Sequence, residues 1–221
     1  MLELIQPISK RDQVVRAMKD AILTGTIQPG ASIVESKIAQ QLGAGVPLIR
    51  EALIELEHQG FVQRTPYKGT TVTKLSAVDV RNIFAFRVEL EALAIEWAKE
   101  HASAADILHL KETIQKMEDA ARVLDLPQFY ENDLAFHRKI WTLSGNPYLV
   151  DALERLVVPL FAFFLMKTSR QQDSYVESAC MHAKIVEAMP SMNAVELREM
   201  FKASLVNWKD DMVELLFSEE Q

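Results

Sequence analysis

Asp133 and His137 stand four residues apart, a spacing that puts both side chains on one face of a helix. Phe129 and Ile140 share that face, which turns it toward a core rather than toward water. His182 belongs to a later helical stretch, one turn before Ile185 and Val186, and also points inward. One carboxylate and two imidazoles converging inside a helical bundle form the donor set of a divalent-metal site. With three protein ligands, zinc, nickel or manganese is held when water or a substrate carboxylate completes the shell. The same residues also suit a hydrogen-bonded Asp133–His137 pair, with His182 satisfied by a neighbour or by water. Spacing leaves both readings open.

Arg87 offers a second chemistry, because a guanidinium presents a fork that matches a carboxylate. Its structural alternative is a solvated pair with Glu91 one turn away. His58, His101 and His109 lie beside charged residues and are expected at the surface. Cys180 is the single cysteine, which excludes an intramolecular disulfide and a multi-cysteine zinc site. With no catalytic partner nearby, it is expected to be a buried, inert thiol. Nothing resembles a glycine-rich phosphate loop, a nucleophile elbow or a general base beside the metal-type ligands, so the chain is not expected to be an enzyme.

These residues need a helical scaffold, and the chain divides into two regions of different texture. Five of the seven glycines fall within the first 60 residues, Gly69 follows, and only Gly145 comes later. Short elements with frequent turns are therefore expected first, and long helices afterwards. Residues 1–75 read as three helices (Arg11–Leu23, Glu35–Leu42, Pro47–Gln59) and a β-hairpin turning at "PYKG". In the third helix Leu48, Ala52, Leu53 and Leu56 are expected on the inner side. Residues 76–221 read as an all-α bundle, with helices starting at Ser76 and Ser103 and others over Leu126–Leu143, Pro147–Lys167, Gln172–Met189 and Ala194–Phe217. Trp97, Trp141 and Trp208, with "PLFAFFLM", are expected in the core and at a dimer interface.

The net charge of −7 is unevenly spread. Residues 1–74 carry nine Lys/Arg against seven Asp/Glu, and the remainder fifteen against twenty-four. A slightly basic head on an acidic body is compatible with DNA binding by the head alone. Gly43 ends one helix, two residues turn, and Pro47 opens the next, the tight approach that places a recognition helix in a major groove. Gly45, Val46 and Arg50 are placed to meet bases or phosphates from that helix. Lys37, Arg64, Lys68 and Gly69 are placed to meet the backbone. No run of 18 apolar residues exists and the start lacks a secretion-signal pattern, so a cytoplasmic protein without membrane contact is expected.

The strings "GTIQPGASIVESKIAQQLG" and "IREALIELEHQGFVQRTPYKGTTV" resemble the winged helix-turn-helix of the GntR family. "FRVELEALAIEWAKEHA", "YENDLAFHRKIWTLSGNPYL" and "SACMHAKIVEAM" resemble its FCD subgroup, the FadR-like helical effector domain. That resemblance implies a divalent metal at Asp133, His137 and His182, beside a pocket for a small carboxylic acid with Arg87 facing it. It also implies a homodimer on a two-fold, double-stranded DNA operator, acting as a repressor. Two positions depart from the family pattern. Ser204 stands where the family has a further histidine, which should weaken the metal. Val46 stands where the family's base-reading arginine lies, inside Gly45–Leu48. Either the operator is unusual, with Val46 against a thymine methyl, or the head reads DNA less selectively. The alternative function is a metal- or small-molecule-binding protein whose winged head no longer reads sequence.

Overall fold

The computed structural model describes residues 9–168 and 172–217, the side chains of residues 172–174, 207–212 and 214–215 excepted. The fold is mostly α, with two compact units that divide between Lys74 and Leu75.

The first unit holds α1 (Lys10–Leu23), β1 (Ser32–Ile33), α2 (Glu35–Leu42), α3 (Val46–His58), β2 (Val62–Thr65) and β3 (Gly69–Val72). The Ser9 hydroxyl accepts from the Asp12 amide and so starts α1. Gly43 closes α2 in the left-handed region at φ 60, where a side chain would be strained. Helix α3 buries Ile49, Ala52, Leu53 and Leu56 completely. Ile49 therefore takes the core position expected of Leu48, which is only half-buried. Ile49 stands three and four residues before Ala52 and Leu53, the spacing of one helix face. The wing is an antiparallel sheet in the order β1-β3-β2, with Thr65 opposite Gly69 and Ser32 opposite Thr71. Strand β1 was not expected. Its two residues carry no alternation signal of their own and are fixed by pairing with β3.

The second unit is a helical bundle: α4 (Ala77–His101), α5 (Ala104–Val123), α6 (Leu126–Leu143), α7 (Pro147–Thr168), α8 (Gln172–Ala188) and α9 (Ala194–Phe217). Two capping boxes, Ser76 with Asp79 and Ser103 with Asp106, satisfy the first free amides of α4 and α5. Asp125 caps α6 through the Gln128 amide. Helix α4 packs on α6, α7 and α9, while α5 packs on α6 and α8. This brings the inward faces of α4, α6 and α8 around one point. Trp141 is fully buried and Trp97 half-buried, while the Trp208 side chain lies outside those described. Cys180 is exposed, contrary to the buried thiol expected, because it lies on the outer face of α8. No described helix is long and apolar enough to cross a membrane.

Candidate functional site

In the first unit, the α2–α3 turn is held by the Ala44 amide donating to the Ala39 carbonyl at 2.9 Å. Gly45 then caps α3 without any side-chain hydrogen bond, so Val46 and Pro47 form the first turn of the helix. Pro47, Arg50, Glu51 and Ile54 are on its outer face. Arg50 donates to Glu35 on α2 at 2.6 Å, Arg11 to Glu55 at 3.2 Å, and Arg64 lies 3.9 Å from Glu57. Lys37 and Lys68 are exposed, and among the described residues no carboxylate pairs with either. Tyr67, at the wing tip beside Lys68, is fully exposed and adopts φ 63. Gly69 follows at φ 90. Sequence reasoning missed the carboxylate partners of the arginines, since Glu35 and Arg50 are joined only by the helix crossing.

In the second unit, α6 supplies Asp133 and His137, and α8 supplies His182. One donor atom from each lies within 4.8 Å of the other two. The three expected ligands are thus brought together. Their hydrogen bonds fix the tautomers. His182 Nδ1 lies 2.6 Å from the Ser178 carbonyl, which only accepts, so Nδ1 carries the proton. His137 Nδ1 lies 3.0 Å from Glu91 Oε1 and donates to that carboxylate. With Nδ1 donating on each ring, a neutral imidazole leaves its Nε2 bare, and these two atoms face each other at 3.0 Å. Two acceptors at that distance repel unless a cation or proton stands near both.

Asp133 Oδ1 completes the constellation. It is buried and accepts no hydrogen bond, at 3.4 Å from His182 Nε2 and 3.9 Å from His137 Nε2. The Asp133–His137 hydrogen bond considered above is therefore not formed. Two nitrogen or oxygen donors at about 2.1 Å from one ion, spread over 90–110°, lie about 3.0–3.4 Å apart. Two of the three separations fall in that range and the third is half an ångström longer. Burial lowers the His182 imidazolium to about 4, only partly countered by the Asp133 charge. A proton is disfavoured there at neutral pH, and the donor set fits a divalent metal. Ser204, on α9, lines the same cavity, but its hydroxyl donates to the Phe201 carbonyl at 2.7 Å.

Arg87 and Glu91, from α4, support the cluster from below. Both are buried, with Arg87 Nε donating to Glu91 Oε2 at 3.3 Å. Arg87 is thus paired and pocket-lining at once, and the pair is not solvated. Its guanidinium carbon lies 4.5 Å from the Phe161 ring centre and 5.3 Å from that of Phe84. Glu91 Oε1 accepts from Trp141 Nε1 at 3.0 Å as well as from His137. Burial pushes the Glu91 carboxyl up, but His137, a cation at the acid pH where a carboxyl titrates, and Arg87 outweigh it and hold the group at about 2. Glu91 was seen in the sequence only as a partner for Arg87. The signal for more was its place one turn from Val88 and Ile95 on a core stripe, where a lone carboxylate needs partners.

The amino-acid sequence matches the gntR family of bacterial regulatory proteins over residues 10–72 and the FCD domain over residues 82–207. The chain belongs to the gntR family and carries its FCD domain. A curated relative, the HTH-type transcriptional regulator McbR of Escherichia coli, is 29% identical over 66% of this chain and 66% of its own length. Another from that organism, the HTH-type transcriptional repressor GlaR, is 26% identical over 86% of this chain and 90% of its own. The chain spans just under two thirds of the length of the first relatives it matches, 66% for McbR and 65% for the regulator YdhC of Bacillus subtilis. The solved structure of Escherichia coli McbR aligns with 97% of this chain and 100% of its own at a TM-score of 0.70 and 22% identity, so the fold is shared. A winged helix-turn-helix followed by an FCD helical domain is the architecture of this family member.

Proposed function

We propose that this gntR-family protein is a repressor that binds a two-fold DNA operator as a homodimer and responds to a small carboxylic acid through a metal-dependent site in its FCD domain. The observation that carries the sensing half is the pair of bare Nε2 atoms at 3.0 Å beside the unsatisfied Asp133 Oδ1. Asp133, His137 and His182 would hold the ion, and zinc, nickel or manganese suits them. When bound, the metal supplies positive charge that attracts a carboxylate. Glu91 and the Ser178 carbonyl hold the two imidazoles in the ligating tautomer, as second partners do in metal sites generally. Arg87, stacked on Phe161, directs a guanidinium at the acid. DNA contact falls to Gly45, Val46 and Arg50 on α3, to Lys37, and to Arg64, Lys68 and Gly69 at the wing.

The test joins metal analysis of the purified protein to a gel-shift titration on its own upstream DNA. One metal per chain, lost in Asp133→Ala and His182→Ala, and an acid-sensitive shift are expected. No retained metal would remove the sensing half. No shift at low salt by a folded dimer would remove the DNA-binding half.

One observation favours a second reading, in which the head no longer reads sequence. Arg11, Arg50 and Arg64 each lie against a glutamate, and Val46 offers no hydrogen bond to a base. In that case the shift would appear equally on unrelated DNA.

A further inference from the structure

The cavity beside Asp133, His137 and His182 has a wall that restricts what it accepts. Apolar side chains, among them Phe84, Phe161, Phe164, Met181, Phe201 and Leu205, make most of it. Among the described residues its hydroxyls come from Ser178 and Ser204 alone, and the Ser204 hydroxyl already donates to Phe201. A guest rich in hydroxyls would bury donors and acceptors without partners, which costs affinity more than a missing methylene does. The cavity is also small, about 40 Å³. That is room for only about three or four water-sized groups.

Charge sets a second limit. Among the described residues Arg87 is the one lysine or arginine on the wall, and Glu91 neutralises it. Asp133 then leaves the site with one negative charge, because imidazoles that ligate a metal do so as neutral rings. A divalent ion turns that into one positive charge, which a single carboxylate cancels. A second carboxylate would be buried with no net positive charge left to balance it.

Resting on the metal site proposed above, we infer that the FCD cavity selects a short, unsubstituted aliphatic monocarboxylate and binds it only when the divalent ion is present. The acid's charge meets the ion and Arg87, and its alkyl end meets the phenylalanines and Met181. Dicarboxylates, and acids of the same length with a hydroxyl at the alkyl end, are excluded, the first by charge and the second by a hydroxyl left unpaired against the phenylalanines.

Full-length protein, loaded with zinc, nickel or manganese and its content measured, is titrated calorimetrically with butyrate, succinate and 4-hydroxybutyrate, then again after chelation. Butyrate should bind about tenfold or more tighter than either competitor, and only to the loaded protein. Met181→Lys adds a cation to the wall and, compared with wild type at equal measured metal content, should move the preference about tenfold toward succinate. Equal or tighter binding of succinate or 4-hydroxybutyrate by metal-loaded wild type overturns the inference and leaves the metal site standing. Equal binding of butyrate after chelation overturns its charge argument. Protein that retains no metal overturns both this inference and the site beneath it.

Discussion

The exposed pairs of the winged unit and the pair at the FCD cavity hold their charges in opposite ways. In the winged unit the pairs are exposed: the Arg50 side chain is 61% accessible and its Glu35 partner 26%. In the FCD unit Arg87 and Glu91 are 3% and 1% accessible, and the carboxylate also serves His137 and Trp141. Exposed pairs contribute little, about 0–1 kcal/mol, and are readily exchanged for another anion such as a phosphate. Buried pairs are costly to break because the remaining charge has no solvent to return to. The first arrangement suits a surface that must release its own carboxylates to take DNA. The second suits a site whose geometry has to be in place before its ligand arrives.

The strongest way to break this contrast is to remove the buried carboxylate. Glu91→Gln should destabilise the protein by about 3–5 kcal/mol in denaturant unfolding, since Arg87 is left without its counter-charge. It should also lower metal affinity by releasing the His137 tautomer. A loss below 1 kcal/mol would place this pair with the exposed ones.

Next in size is the turn before the recognition helix. Gly43→Ala forces a side chain into φ 60 and should cost about 1–2 kcal/mol of stability, read as a lowered melting temperature. DNA affinity should fall with it, while metal content stays unchanged if the units act separately.

Smaller again, Glu35→Gln frees Arg50 from its partner. Folding stability should change by less than about 1 kcal/mol, and DNA affinity should rise a few-fold with a steeper salt dependence. An unchanged salt slope would show that Arg50 does not reach a phosphate.

The smallest effect is expected at Asp106, whose carboxyl the Lys139 ammonium and the Ser103 hydroxyl hold well below the usual carboxylate range. A carboxyl with a depressed folded pKa adds stability above its ordinary value of 3.8 and loses it as the pH falls further. Asp106→Asn should therefore melt earlier than wild type at neutral pH. The gap should close under acid conditions in thermal melts followed by circular dichroism.

Much of the scaffold was legible in the residues, and the reasons are local. Ser76 and Ser103 announce α4 and α5 because a capping box needs only four consecutive residues. Gly43 and Pro47 bracket the α2–α3 turn for the same reason. Asp133, His137 and His182 were legible as inward-facing donors from the helical period. What the residues did not disclose depends on partners distant in the chain. Strand β1 exists through its pairing with β3, 39 residues away at Ser32 and Thr71. The roles of Glu91 and Glu35 arise from helix crossings, and the bare Nε2 atoms from hydrogen bonds made on the far side of each ring. Cys180 was misplaced because a short, weakly polar side chain gives no periodic signal of its own.

Helix α4 has a mechanical consequence. It runs unbroken from Ala77 to His101, and only residues 73–76 separate it from the end of β3 at Val72. Arg87 sits ten residues into that helix, about 15 Å along its axis at 1.5 Å per residue. The helical period fixes the angle between those two points, and the insertion of one residue between them would turn one end by about 100° relative to the other.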